Sequence, residues 1–574
     1  MRRLRYIIVL WFVGILAGAA AAGESRPGPR VAATVDFLDY AMDDAADAEE
    51  HYPLERYARR LAALAESGVG KIYLRVNACG LALYPSKVTW QYGVEDNYHW
   101  RLERQARRLI ETMKRWNPLT ETIRVGHELG LEVWAWESVW DDGGADGAYA
   151  PKSAFPELTA KNGSYFAMDP FFRKRPDYYL WRKPDPEDAH RDIEAANRAN
   201  RGRVIGKIIV RSSEKRPVGT FAREDLVILG SRDNERFFRY DGPVTMTHSL
   251  SADGRPALVL DGLRLEADYV QLFFTAPRAK SNYVYAHRRP RGQHEVFDDQ
   301  GKPLHTVWTW FANPRPEGAS LDFVDTGAAW DYANRGLGFV TGEPEPFIGD
   351  GRYLLGVCEF LVPEVMEHKL ARFAELAEYP FDGFMLNLRG HNMINSSADY
   401  GYNPEVREAF KARHGRDIWT ETFDRDAWLA LRAEGFDRFL AGCKERTGGR
   451  PLFVAVTDNR GPVPAGRSYG MAWYVRKLGL PWNYDAWFAN GWVDGVTMLT
   501  DFFPEHLTGR TVNGRPATVG VLREMLSADP GTLKDDLERW RADGRIDEIE
   551  LYEALAITRN AKHLQTLRAF SDGK

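Results

Sequence analysis

Apolar positions along this chain follow two alternating patterns. Short runs of apolar, β-branched and aromatic residues recur, and between most of them apolar residues repeat at helical spacing. The runs VAATVDF (31–37), KIYLRVN (71–77), EVWAWES (132–138), GFMLNLR (383–389), LFVAVTD (452–458), GVTML (495–499), ATVGVL (517–522) and EIELYEA (548–554) predict eight strands. The stretches 54–66, 100–116, 120–129, 363–377, 404–414, 426–446 and 556–570 predict helices. In HELGLEVWAWES, Gly130 stops a helix and the strand follows at once, the tight return that an α/β unit requires. Eight strands alternating with helices predict an α/β fold, a (β/α)8 TIM-type barrel. No repeat of 20–50 residues is present, which argues against a solenoid or propeller.

The rhythm breaks once. Between about Arg203 and Thr275 the helical period vanishes, and KIIVR (207–211), DLVILG (225–230), VTMTHSL (244–250), PALVLDGLRL (256–265) and YVQLFFT (269–275) follow one another between turn signals. This predicts an all-β module, residues 196–290, inserted after the third barrel strand. The barrel then comprises 23–195 and 291–574, its rhythm resuming near YLLGVCEF (353–360).

The amino terminus predicts export. Met1 to Arg5 is basic, Tyr6 to Gly18 is almost wholly apolar, and Ala20-Ala21-Ala22 offers a small-residue cleavage site. Residues 1–22 read as a signal peptide, too short for a span of about 20 apolar residues. The mature chain is expected to be periplasmic or extracellular, without stable membrane insertion. A formal net charge of -5 supplies no basic field for nucleic acid. Cys79, Cys358 and Cys443 are too few for a disulfide framework and read as small buried hydrophobes, with one pair at most bridged. Trp 18, Tyr 25 and Phe 29 form a heavy aromatic load, suited either to a core or to stacking on sugar rings.

A barrel gathers the carboxyl ends of its strands at one rim. Glu137, Asn387, Arg389, His391, Asp458, Asp501 and Glu553 lie at or just beyond those ends, and Glu359 follows YLLGVC. Two carboxyl groups, one acid and one nucleophile or base, suffice to hydrolyse a glycoside. The catalytic candidates are therefore Asp458, Asp501, Glu553 and Glu137. Alternation counts against Glu137, because it puts Trp134, Trp136 and Ser138 on one face and Glu137 on the other. Asn387, Arg389 and His391 share a face and are candidates for binding substrate. Trp134, Trp136, Trp473 and Trp482 are candidates for sugar stacking. Trp134, Arg389, His391, Asp458, Asp501 and Glu553 are expected to line one cleft.

Competing signals are weaker. Gly466-Arg467-Ser468-Tyr469-Gly470 matches a nucleophile elbow, but Pro462 and Pro464 separate it from the preceding strand. Gly336-Leu337-Gly338 lacks the third glycine of a dinucleotide site, and no metal-binding motif is present, so neither cofactor nor metal is expected. Asn162 and Asn395 match glycan acceptors, a pattern common by chance.

FDGFMLNLRGHN (381–392), YGYNPEVREAFKARHGRDI (400–418), HELGLEVWAWES (127–138) and YDAWFANGWVDGV (484–496) together resemble the secreted bacterial glycosyl-hydrolase-like family 10 proteins. The resemblance covers roughly 30–190 and 320–560 and implies a barrel acting on carbohydrate. Many of those proteins carry an aspartate where this chain has Asn387. The resemblance thus implies a glycosidase acting on a poly- or oligosaccharide, or a carbohydrate-binding barrel that no longer hydrolyses. Linkage, stereochemistry and oligomeric state are not legible in the sequence.

Overall fold

The computed structural model describes residues 28–41, 51–91, 104–142, 169–183, 202–211, 222–274, 294–310, 336–341, 353–388, 400–456, 479–499 and 507–573, apart from short interruptions within these spans. Eight parallel strands close into a barrel: β1 (Arg30–Val35), β2 (Lys71–Arg75), β3 (Glu132–Ser138), β4 (Gly383–Asn387), β5 (Leu452–Val456), β6 (Gly495–Leu499), β7 (Thr518–Glu524) and β8 (Glu548–Tyr552). Strand β8 pairs back onto β1, so no edge is left open. The chain is therefore a (β/α)8 barrel, as the spacing of its apolar runs predicts.

Helices cover the outer face. Leu54–Glu66, Pro118–Glu128, Pro363–Ala377 and Arg425–Arg446 lie close to the predicted spans, whereas Pro530–Ala542 has no predicted counterpart. The expected closing helix is two pieces, Ala554–Thr558 and Ala561–Ser571, with Asn560 capping the second through the Lys562 amide. One face of each strand packs on these helices: Val133, Ala135, Leu386, Val454, Val496, Val519 and Ile549 all belong to the main core. The opposite face fills the lumen.

Between β3 and β4 the chain forms two five-stranded antiparallel sheets. In strand order, one contains Thr245–Leu250, Pro256–Leu265, Ile205–Arg211, His294–Asp298 and Pro303–Leu304. The other contains Thr306–Trp310, Gly336–Thr341, Tyr269–Phe274, Leu226–Ser231 and Phe238–Arg239. Ile208, Leu258 and Val296 from the first sheet share a core with Leu226, Ile228 and Val270 from the second, distinct from the barrel's own. Tyr269–Phe274 pairs inside this unit and not with the barrel. The strands run on past the expected limit near 290, to Thr341. Gly336–Thr341 pairs with Tyr269–Phe274 across a long stretch of chain, and such non-local pairing leaves no periodic trace.

The signal segment 1–22, Cys79, the 466–470 turn, Asn162 and Asn395 lie outside the described residues. Cys358 and Cys443 are buried free thiols. Among the described residues no helix is long and apolar enough to cross a membrane.

Candidate active site

The lumen is built in layers. The register steps each strand by about one residue relative to its neighbour, so side chains from alternate strands meet at one height. At the amino-terminal end Lys71 and Glu548 form a buried ion pair at 2.5 Å. The Lys71 ammonium lies 3.9 Å from the Trp134 ring and 4.8 Å from that of Phe453. Two glycines make this floor possible. A Cβ at Gly383 would fall 2.6 Å from the Trp134 ring, and one at Gly495 would fall 2.8 Å from Phe453. Tyr73 and Met385 complete a dry plug with Trp134 and Phe453.

Above the plug the lumen turns polar. Thr34 Oγ1 donates to Glu550 at 2.9 Å, and Thr497 Oγ1 is buried without a partner. Trp136 follows, its ring 6.1 Å from that of Tyr552 and 5.8 Å from the Arg75 guanidinium. Arg75 donates to Asp36 at 2.5 Å, to Asp141 at 2.9 Å and to the Asn77 carbonyl at 2.9 Å. Burial alone would lower the Arg75 pKa, but Asp36 and Asp141 outweigh it and hold the guanidinium above its ordinary value. Asn77 and Ser138 exchange two hydrogen bonds, 2.8 and 2.9 Å, which tie the ends of β2 and β3 together. Asn387 faces the same lumen from β4 and donates to Ser138 Oγ at 3.4 Å.

The rim adds Glu524 at the end of β7 and Glu553 directly after β8, both buried. Glu553 stands at the N-cap of the helix Ala554–Thr558 without capping it. The described upper lumen thus holds the carboxyl groups of Asp36, Asp141, Glu524 and Glu550, and Glu553 follows β8 at the same end of the barrel.

The sequence candidates divide sharply. Glu553 and Asn387 reach the carboxyl end of the barrel as expected. Trp134 does not, because it is part of the plug, 3 % exposed and below both Trp136 and Ser138 on the lumen face of β3. Trp136 faces the lumen but is 1 % exposed, so it presents no ring face to a sugar. Trp482 is packed against Trp140, Phe436 and Trp487, with ring centroids 6.2, 5.6 and 6.0 Å away. All three were candidates for stacking, and burial corrects each of them. Asp458, Asp501, Arg389, His391 and Trp473 lie outside the described residues.

Glu137 is a correction of another kind. It points to the helices, 3.6 Å from Arg372 of Pro363–Ala377, as period-two alternation dictates. Arg372 also reaches Asp142 and Asp169, each at 3.5 Å, and Lys369 pairs with Asp142 and donates to the Val139 carbonyl at 2.7 Å. Burial pushes the Glu137 and Asp142 carboxyls up, against the pull of Lys369 and Arg372. This network clamps the end of β3 and the segment around Asp169 onto one helix. Glu359 is also structural, ion-paired with Arg432 at 2.9 Å.

Asp169 behaves oppositely. Burial would raise its carboxyl, but the 2.7 Å hydrogen bond from His368, with the charges of His368 and Arg372, holds it below the usual aspartate range. Its stabilising effect is therefore full above the ordinary aspartate pKa and fades as pH falls through the depressed value. Urea unfolding of Asp169→Asn against the parent across this range is expected to show a deficit at neutral pH that shrinks towards acid.

Sequence reasoning missed Asp36, Arg75, Glu524 and Glu550. Asp36 had a signal, since it directly follows the apolar stretch that ends at Val35. Arg75 and Glu550 sit inside the runs KIYLRVN and EIELYEA, and Glu524 lies two residues beyond ATVGVL, so these three had none. Among the described residues, no group of three His, Cys, Asp or Glu is placed to hold a metal ion.

No protein-family model matches the chain. No curated protein matches it in sequence. Among solved structures it is similar to the catalytic domain of β-amylase from Paenibacillus polymyxa, with 9% identity, 94% of this chain and 97% of that chain covered, and a TM-score of 0.35. It is also similar to β-galactosidase from the psychrophilic Marinomonas ef1, with 7% identity, 95% of this chain and 59% of that chain covered, and a TM-score of 0.33.

Proposed function

We propose that this chain is an exported glycoside hydrolase acting on a poly- or oligosaccharide by acid/base hydrolysis, with carboxyl groups at the barrel rim as its only catalytic groups. The observation that carries this reading is the division of the lumen. An aromatic plug seals the amino-terminal half, Asp36, Glu524 and Glu550 face the carboxyl-terminal half, and Glu553 follows β8 at that end. Glycoside hydrolysis needs two such groups and no other chemistry from the protein. The apolar Tyr6–Gly18 stretch behind a basic start supports export.

A panel of soluble α- and β-linked glycans, scored for reducing ends and for binding in parallel, tests the reading. Hydrolysis of at least one glycan is the expected result, and neither hydrolysis nor binding would sink it. A second reading, a carbohydrate-binding barrel without turnover, is favoured by Asn387. It occupies the lumen face of β4 as an amide bonded to Ser138, a site where a carboxyl group could stand. On that reading the parent binds without cleaving, and Asn387→Asp gains turnover.

A further inference from the structure

The outward side of β3 carries a buried charge cluster that glycoside hydrolysis does not use. Glu137 and Asp142 come from the end of β3 and the residues after it, and Asp169 from the segment that follows. Helix Pro363–Ala377 supplies His368, Lys369 and Arg372, and Glu375 lies one turn beyond Arg372. All but His368 are buried, and the His368 side chain is only 9 % exposed.

The donors are shared out unequally. Lys369 pairs with Asp142, and Arg372 stands 3.5 Å from both Asp142 and Asp169. Asp169 also accepts from the Phe171 amide at 3.0 Å and lies 2.7 Å from His368 Nε2. Glu375 accepts from the Tyr84 hydroxyl at 2.9 Å, the Ser86 hydroxyl at 2.6 Å and the Lys87 amide at 2.5 Å. Glu137 is served worst. Its nearer oxygen is 3.6 Å from Arg372, beyond hydrogen-bond range, and Oε2 is buried without a partner.

The charges do not balance either. Four carboxyl groups face three bases, so even with His368 charged one negative charge is left over. The other groups around Glu137 cannot cancel it. Burial pushes up the Tyr84 hydroxyl and the Cys358 and Cys443 thiols, which stay neutral, and Glu359 is matched by Arg432. An ionised carboxyl buried without donors or a counter-charge takes up a proton instead. Burial raises the Glu137 carboxyl against the pull of Arg372 and Lys369, in the same sense.

We propose that Glu137 is held as the neutral acid at neutral pH, which makes this cluster a proton-operated latch behind the barrel rim. With Glu137 neutral, three carboxylates meet three bases. Its ionisation adds a charge that weakens the hold of the helix on Asp142 and on the segment around Asp169. The same end of β3 sends Ser138 to Asn77 and leads to Asp141, which pairs with Arg75, so the latch backs the upper lumen. A carboxyl raised on folding keeps its proton in the folded chain after the unfolded chain has lost it. Stability therefore falls as pH rises from the ordinary glutamate value through the raised one.

Urea unfolding of the full chain and of Glu137→Gln across pH tests this, because the amide has the shape of the neutral acid. The variant is expected to be the more stable at neutral pH. Relative to it, the parent's unfolding constant should grow by up to about tenfold per pH unit. Hydrogen exchange of the segment 171–181, corrected for intrinsic rates, should quicken with pH more in the parent than in the variant. Infrared spectra should show a protonated-carboxyl band in the neutral parent that Glu137→Gln lacks. A variant weaker than the parent, by a margin that grows with pH, would mean an ionised Glu137 bound to Arg372 and overturns the proposal. A band that survives in the variant puts the proton on another carboxyl and overturns the assignment to Glu137. No such band in the parent overturns it whether or not the variant folds.

Discussion

Glu553→Gln is expected to reduce glycan turnover by roughly 10²–10⁴-fold, the range for losing a positioned general acid–base group. The amide keeps the size and hydrogen-bonding shape of the side chain but can neither deliver nor accept the catalytic proton. Glu553 follows the last barrel strand at the rim and leaves the helix behind it uncapped, so no helix cap is lost with the carboxylate. Because the amide keeps the size and shape of the side chain, folding and glycan affinity should stay near those of the parent. The deficit should also depend on the leaving group. On a dinitrophenyl glycoside, whose phenolate departs without protonation, bond cleavage should be close to normal and the later hydrolysis slow. Steady-state rates on natural and activated substrates, with a burst measurement on the latter, check this. Equal loss on both would mean that Glu553 is not the acid. Full activity would remove it from the site, and Asp458→Asn would then be the next variant to examine.

Arg75→Met is expected to cost about 3–5 kcal/mol of folding stability, measured by urea unfolding. Arg75, Asp36 and Asp141 are 1, 3 and 0 % exposed, so the cation faces two carboxylates in a space that water does not reach. Its fork meets Asp36 through one nitrogen, Asp141 through the other, and the Asn77 carbonyl through Nε. Removing it takes the guanidinium charge and its donors away from both buried carboxylates, which favours their protonation or an opening of the rim. Arg75→Lys should lie between parent and Met, because an ammonium restores the charge but not three fixed donors. A loss below about 1 kcal/mol for Met would show that the triad is solvated and that Arg75 is not the clamp of the rim.

The eight strands and most helices were legible in the sequence because each is a local object. Apolar runs bounded by turns, and helices stopped by residues such as Gly130, need only neighbouring residues to be read. Alternation also disclosed the sides of β3. Glu137 faces Arg372 across the helix layer while Trp134 and Trp136 face the lumen. What alternation could not supply was height. Period two says which face a residue takes, whereas the inter-strand register decides whether it lies in the plug or at the rim. Trp134 and Asn387 illustrate this, since both face the lumen yet one lies in the plug and the other near the rim. Trp482 shows a second limit, because an aromatic in a connecting segment reads alike whether it awaits a sugar or packs on Phe436.

The ion pairs lay further out of reach. Asp36, Arg75 and Asp141 are far apart in the chain, and only the parallel pairing of β1, β2 and β3 brings their charges within hydrogen-bonding distance. Glu524 was hidden by the end assigned to its strand. Two further residues of ladder, fixed by pairing with β8, carry β7 to the rim. The sequence by itself therefore determined the order, number and sidedness of the barrel strands, because propensity and periodicity act over a few residues. Only the tertiary structure decided which polar groups share the upper lumen, because that depends on register and closure, which join residues hundreds of positions apart.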